Sequence, residues 1–356
     1  MAGVEFKFTP SPDWRRLDKA LRRKGEPDRV PFFELFADAA IMEAVVGRRF
    51  PAGPAPEARR ERARIRVDFH LKAGYDYVGD WTAFNFPRRD DPKSEELGRR
   101  FMNSEVSTIA NRADFESYPW PEVRDEHFAP IEALIEILPE GMRIKTSGLN
   151  LLESVMRLTG YEGLAMILAD EEDLVGELFD RVGPITLDFF TRLAQFEEVH
   201  FIDCCEDMGF KTQTMFSPEF LRRHVFPWHG RIVKALHARG KVVTLHACGF
   251  LDEVIEDILA AGYDARHSFE DAITPVAEAK RRWGGRIAHC GGFDVDKLCR
   301  LSVGEIRAHT RNLIAECAPG GGWCLGTGNS VASYIPLANY VAMLEEGRAV
   351  GSYPVE

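Results

Sequence analysis

A chain of 356 residues with 45% apolar and 28% charged side chains has the composition of a folded globular protein, with room for one large domain. Its 45 basic and 56 acidic residues leave a net charge of −11, which excludes nucleic acid as a principal partner, because phosphate binding needs a basic surface. No apolar run approaches the ~20 residues of a membrane span, and the N-terminus lacks the apolar core of a signal peptide, so no membrane role is expected and the expected location is the cytoplasm. There the seven cysteines should stay reduced, available as metal ligands or as core filler.

Residues 1–28 are polar and proline-punctuated, with one helix over 13–24, and are expected to form an N-terminal extension. Residues 29–356 read as a single barrel domain. The apolar run 29–36 suits a first strand, followed by a helix over 37–46 and a charged helix over 59–73. A second strand covers 75–81. Residues 82–142 lose the strand–helix alternation, with a turn at 88–93 and a proline-bracketed stretch at 117–122, and read as an insertion between strands 2 and 3. A helix near 129–138 leads back to a third strand at 143–147.

From there the alternation is regular. A long helix at 171–196 precedes a fourth strand, 200–207, which ends in Glu206 and Asp207. Ser217-Pro218-Glu219 starts a helix, with Ser as N-cap and Pro at the first helical position, and Pro227 should break it before His237. The fifth strand, 241–246, is followed by a helix over 251–261 that stops at Gly262. Strand six covers 265–269 and strand seven 286–290, with a helix over 275–283 between them. A helix over 303–317, an eighth strand at 323–325 and a last helix over 337–348 complete the chain. Eight strands, nearly all followed by helices, predict an α/β fold of the (β/α)8 TIM-barrel type.

Active sites of such barrels lie at the C-terminal ends of the strands. The polar residues expected there are Glu34, Asp80, Ser147, Glu206 with Asp207, His246 with Cys248, Glu270 with Asp271, Cys290 with Asp294, and Cys324 with Asn329. His246-Ala247-Cys248-Gly249 stands out. Strand side chains alternate with period two, so His246 and Cys248 point to one side, and imidazole nitrogen and thiolate sulfur are ligand types that zinc prefers. The best third soft ligand is Cys324. Gly249, Gly326 and Gly328 either allow tight turns or bring the backbone close to a large flat cofactor. Glu206 or Asp207 could complete a metal site, orient His246, accept a proton, or simply supply charge at a helix N-terminus. Cys204, Cys205, Cys299 and Cys317 read as core packing, and His267 and His289 as structural.

These segments carry a resemblance. Arg29-Val30-Pro31, Tyr118-Pro119-Trp120-Pro121, Ser217-Pro218-Glu219-Phe220, the HACG strand end, Gly291-Gly292-Phe293-Asp294 and Gly322–Asn329 together resemble the uroporphyrinogen decarboxylase superfamily. Within it the chain looks like the corrinoid-dependent methyltransferases, similar to the enzymes that methylate coenzyme M. The resemblance implies a (β/α)8 barrel, zinc on His246, Cys248 and Cys324, and Glu206, Asp207 and Asn329 as candidates for the chemistry. It implies methyl transfer between a corrinoid and a small thiol or an O- or N-methyl substrate. The cobalamin-binding pattern Asp-x-His-x-x-Gly is absent, so the corrinoid is expected on a partner protein. Two departures matter. Phe32–Phe36 lacks the arginines with which decarboxylases meet tetrapyrrole carboxylates, which counts against the alternative, a cofactor-free decarboxylase. Cys290-Gly291-Gly292 stands where the methyltransferases show Gly-Asn. The sequence leaves monomer or homodimer open.

Overall fold

The structure, a computed structural model, describes residues 3–82, 84–88 and 107–355. Seven parallel strands among them form one sheet in chain order. They are β1 (Tyr77–Trp81), β2 (Arg143–Ser147), β3 (Val199–Cys205), β4 (Val242–His246), β5 (Ala265–His267), β6 (Ala288–Cys290) and β7 (Trp323–Cys324). Runs such as Val242-Val243-Thr244-Leu245 are buried on both faces, which is the environment of a parallel sheet covered by helices. The chain is therefore an α/β protein whose sheet follows the expected strands two to eight.

The expected first strand, 29–36, is not a ladder strand. Pro31 has no N–H to give, so the segment meets β7 through a short parallel bridge instead. Phe33 N–H donates to the Leu325 carbonyl (2.8 Å) and Leu325 N–H to the Pro31 carbonyl (2.9 Å). On the other side the Tyr77 hydroxyl of β1 accepts from Glu34 N–H (2.8 Å) and donates to the Glu34 carbonyl (3.1 Å). One segment thus touches both edges, and the sheet is curled.

Most helices sit where expected. Val303–Cys317 is opened by a capping box in which Ser302 and Glu305 satisfy each other's N–H groups. Ser217 caps Pro218–Phe220 (3.2 Å to Phe220 N). The expected break at Pro227 is a widened turn over Leu221–Val225 before Phe226–His237 resumes, because the proline ring removes a helical hydrogen bond. Two helices, Leu152–Thr159 and Tyr161–Asp170, fill a stretch the sequence left unassigned, divided at Gly160 (φ 73°). Helices Arg112–Ser117 and Val295–Arg300 were also unassigned.

The expected extension is packed down: helix Trp14–Leu21 carries Arg16, whose guanidinium bridges Asp28 (2.8 Å) and the buried Asp76. The expected turn at 88–93 lies, beyond Arg88, outside the described residues. Among the described residues no helix is long and apolar enough to cross a membrane.

The strand layer encloses a polar cluster. Lys145 of β2 pairs with Asp203 of β3 and donates to the Leu35 carbonyl (3.0 Å). Glu34 accepts from Thr327 N–H (2.9 Å) and from its hydroxyl (2.5 Å). Burial pushes the Glu34 carboxyl up to about 8 from its ordinary 4.5, against the Thr327 bonds and the Lys145 charge. A carboxyl raised on folding stabilises the fold fully below pH 4.5, and that contribution is lost as pH rises through about 8. Glu34→Gln should remove roughly 3–5 kcal/mol of this pH-dependent loss. Urea unfolding between pH 5 and 8.5 checks it: the variant should show a flatter profile than the wild type.

Candidate metal centre

β4 carries its polar end into the mouth of the curled sheet. His246 is the Cα partner of Cys205 on β3 and of His267 on β5. The ladder continues one residue further: Glu206 N–H donates to the His246 carbonyl and Ala247 N–H to the His267 carbonyl, both at 2.8 Å. Gly249 then turns with φ 83°, and a Cβ there would collide with the Gly209 backbone. Gly209 N–H donates to the Cys248 carbonyl (3.1 Å) and Phe250 N–H to the Phe210 carbonyl (2.7 Å), so the loops after β3 and β4 are laced together.

That lacing places Asp207 beside the His–Cys pair. Cys248 N–H donates to Asp207 Oδ1 (3.1 Å), and Asp207 N–H donates to Glu153 Oε1 (3.3 Å). A carboxylate oxygen of Asp207, a ring nitrogen of His246 and Cys248 Sγ lie within 4.8 Å of one another. His246 Nε2 is 3.5 Å from Cys248 Sγ and 3.8 Å from Asp207 Oδ1. Zinc bonds of about 2.0–2.3 Å in a tetrahedron require ligand–ligand edges of about 3.3–3.8 Å, and both edges from His246 Nε2 fall in that range. Asn329 Nδ2 donates to Cys248 Sγ (3.2 Å), and Cys248 Sγ meets Ser268 Oγ at 3.9 Å. His267 Nδ1 is 2.8 Å from His246 Nδ1.

Burial holds the His246 imidazole neutral down to about pH 3, helped by the Lys145 and Arg266 charges, so its nitrogen is a lone-pair donor at neutral pH. Burial pushes the Cys248 thiol up, and the Asp207 carboxylate pushes it further. A dication between them would replace the thiol proton and neutralise both acids.

The other expected site residues fall differently. Cys324, the expected third ligand, is the register partner of Cys290, and both thiols are buried. The Cys324 sulfur is not among the donor atoms grouped within 4.8 Å of one another, which are those of His246, Cys248 and Asp207. Glu206 turns away from the pair. It accepts from Leu151 N–H and Glu153 N–H (3.2 Å) at the start of Leu152–Thr159, with His229 Nε2 at 3.5 Å, which is the helix-terminus role. Asn329 is at the site, against the sulfur.

The glycines expected to face a cofactor instead admit backbone. A Cβ on Gly326 would run into the Phe33 carbonyl, and one on Gly328 into the Phe269 carbonyl. Gly326→Ala should therefore cost about 1–3 kcal/mol by prising segment 31–34 from β7, measurable as a lower urea midpoint. His267, Ser268 and Glu153 are site neighbours that the sequence reading missed. His267 could have been found as a second histidine ending the adjacent strand.

The family model for uroporphyrinogen decarboxylase (URO-D) matches residues 146–350. No curated protein sequence matches the chain. Among 37 matching chains of solved structures is a methyltransferase from Methanosarcina mazei. It superposes with a TM-score of 0.69 over 94% of this chain and 97% of its own, at 17% identity, a likeness of fold. The family match covers more than half of the chain and takes in β3 to β7, the His246–Cys248 strand end and the whole of the last helix; the chain belongs to the uroporphyrinogen decarboxylase family.

Proposed function

We propose that the chain is a zinc-dependent methyltransferase. It would move a methyl group between a corrinoid carried by a partner protein and a small thiol or an O- or N-methyl substrate. The observation that carries this is the convergence of His246 Nε2, Cys248 Sγ and an Asp207 oxygen within 4.8 Å at the strand ends. The fold likeness to a protein named a methyltransferase supports it. On this reading segment 31–34 completes an eight-stranded (β/α)8 barrel, with the site at its C-terminal mouth.

His246, Cys248 and Asp207 would hold the ion and leave it open to a substrate heteroatom. Zinc there supplies Lewis acidity toward that sulfur, oxygen or nitrogen. Asn329 fixes the Cys248 sulfur by its amide, and Glu153 fixes Asp207 through the backbone. Glu153 is itself pushed up to about 7 by burial, with Glu206 and Asp207 adding to the effect against Arg157. It is thus a carboxyl that can carry a proton near neutral pH beside the site.

Decarboxylation is the second reading, favoured by the description of the matching family. Against it stand the thiol and imidazole donors, which that chemistry does not use, and the absence of arginine from Phe32–Phe36. Turnover of methylcobalamin with a panel of small thiols, and of reduced cobalamin with aryl methyl ethers, separates the two. Transfer that is lost with a chelator and restored by zinc is expected. Metal-free decarboxylation of a porphyrinogen, without methyl transfer, would overturn the proposal in favour of the second reading.

A further inference from the structure

We infer that His267 is a positioning residue that fixes His246 as its Nδ1–H tautomer and so aims the Nε2 lone pair at Cys248 and Asp207. The argument counts hydrogens along one chain of contacts. His267 Nε2 lies 3.1 Å from the Thr327 carbonyl. A carbonyl can only accept, so His267 Nε2 carries a hydrogen. The His267 ring is fully buried, and its two hydrogen-bond partners, the Thr327 carbonyl and His246 Nδ1, are not anions. A buried ring in that company is neutral and holds a single hydrogen. Its Nδ1 is then an acceptor. His246 Nδ1, 2.8 Å away, has to be the donor. One hydrogen is thereby assigned to each ring, and the remaining nitrogen, His246 Nε2, faces Cys248 Sγ and Asp207 Oδ1 with its lone pair.

The chain is anchored at its far end. Thr327, which supplies the accepting carbonyl, is held at its N–H and its hydroxyl by the two oxygens of Glu34. Phe33 packs on the His267 ring with centroids 5.7 Å apart, and the two imidazoles lie 5.0 Å apart with a 34° tilt. Segment 31–34, the β7 exit, β5 and β4 thus cooperate to set one proton. A free imidazole prefers its hydrogen on Nε2, so without His267 the site would have to displace that preference each time it took a cation. Hydrogen-bond partners behind a ligating histidine commonly act in this way.

The inference rests on the metal reading only for its affinity arm, and the experiment separates the two. In metal-free wild type labelled with 15N-histidine, long-range imidazole spectra report which nitrogen of each ring is protonated, and His246→Gln identifies the His246 signal. The hydrogen of His246 is expected on Nδ1. Zinc affinity, by competition with a chelator, is expected to fall about 10–100-fold in His267→Phe. His267→Gln should stay within about threefold of wild type, because its amide oxygen can accept from His246 while its NH2 donates to Thr327. A His246 hydrogen on Nε2 in the wild type, or a folded His267→Phe protein that binds zinc as wild type does, would overturn the inference. A wild type that takes no zinc yet keeps its His246 hydrogen on Nδ1 supports the relay and removes the metal reading alone. The spectrum of the wild type decides the matter even if His267→Phe does not fold.

Discussion

Cys248→Ala should lower zinc affinity roughly 100- to 1,000-fold and abolish methyl transfer, while the protein stays folded. A four-ligand zinc site binds with about 10–16 kcal/mol, or roughly 2.5–4 kcal/mol per ligand, which is about 10²–10³ in affinity. The sulfur is also the softest of the three donors at the site. The variant should lose a pH signature as well. Burial raises the Cys248 thiol above its ordinary value, so zinc must displace its proton and wild-type affinity should climb with pH across neutrality. His246, titrating near 3, adds no such slope there. Calorimetry in two buffers of different ionisation enthalpy should register about one proton released per zinc in the wild type and none in Cys248→Ala. Cys324→Ala is the matched control. Its sulfur lies outside the His246, Cys248 and Asp207 group, so zinc affinity should be unchanged. A loss as large as that of Cys248→Ala would restore Cys324 as a ligand and contradict the geometry described above.

Lys145→Ala should destabilise the fold by about 3–5 kcal/mol, the cost of leaving one member of a buried ion pair unpaired. Lys145 and Asp203 are 2% and 1% exposed, and the Lys145 ammonium also lies 4.8 Å from the Phe33 ring centroid. Burial already pushes the Asp203 carboxyl up, and the Lys145 charge opposes that. Without Lys145 the carboxyl would be protonated in the fold. Its stabilising contribution would then be complete only below its ordinary 3.8 and lost as pH rises, so the penalty should shrink on acidification. The double variant Lys145→Met, Asp203→Leu should recover most of the loss, since apolar side chains of similar volume need no partner. Urea unfolding at pH 5 and pH 7.5 tests both statements. A single variant as stable as the wild type at pH 7.5 would show that the pair does not hold this layer.

The sheet was largely legible in the sequence because buried parallel strands are short apolar runs set between turns and helices. β4 is the plainest case: Val242-Val243-Thr244-Leu245 can be little else, and period two then puts His246 and Cys248 on one side. Pairing across strands was not legible. Cys290 and Cys324 look like spare ligands along the chain, and only the β6–β7 register reveals that they stand side by side. Asp207 and Glu206 are neighbours in sequence with opposite fates. The first is held at Cys248 by a backbone N–H, while the second is captured by the opening of Leu152–Thr159, a helix that was itself unassigned. The glycines misled for a related reason. Their missing side chains make room for Gly209, Phe33 and Phe269, which are distant in sequence from the glycines they meet. The 29–36 run failed as a strand for a local cause that was visible, the proline at position 31.

The most direct test is the zinc content of wild type purified without oxygen and without added metal, measured beside His246→Ala. About one equivalent of zinc per chain is expected in the wild type, as for a single site with three protein ligands, and next to none in the variant. Folded wild-type protein with reduced thiols and no zinc, even after incubation with the metal, would contradict the account and leave the family's decarboxylation as the reading to pursue.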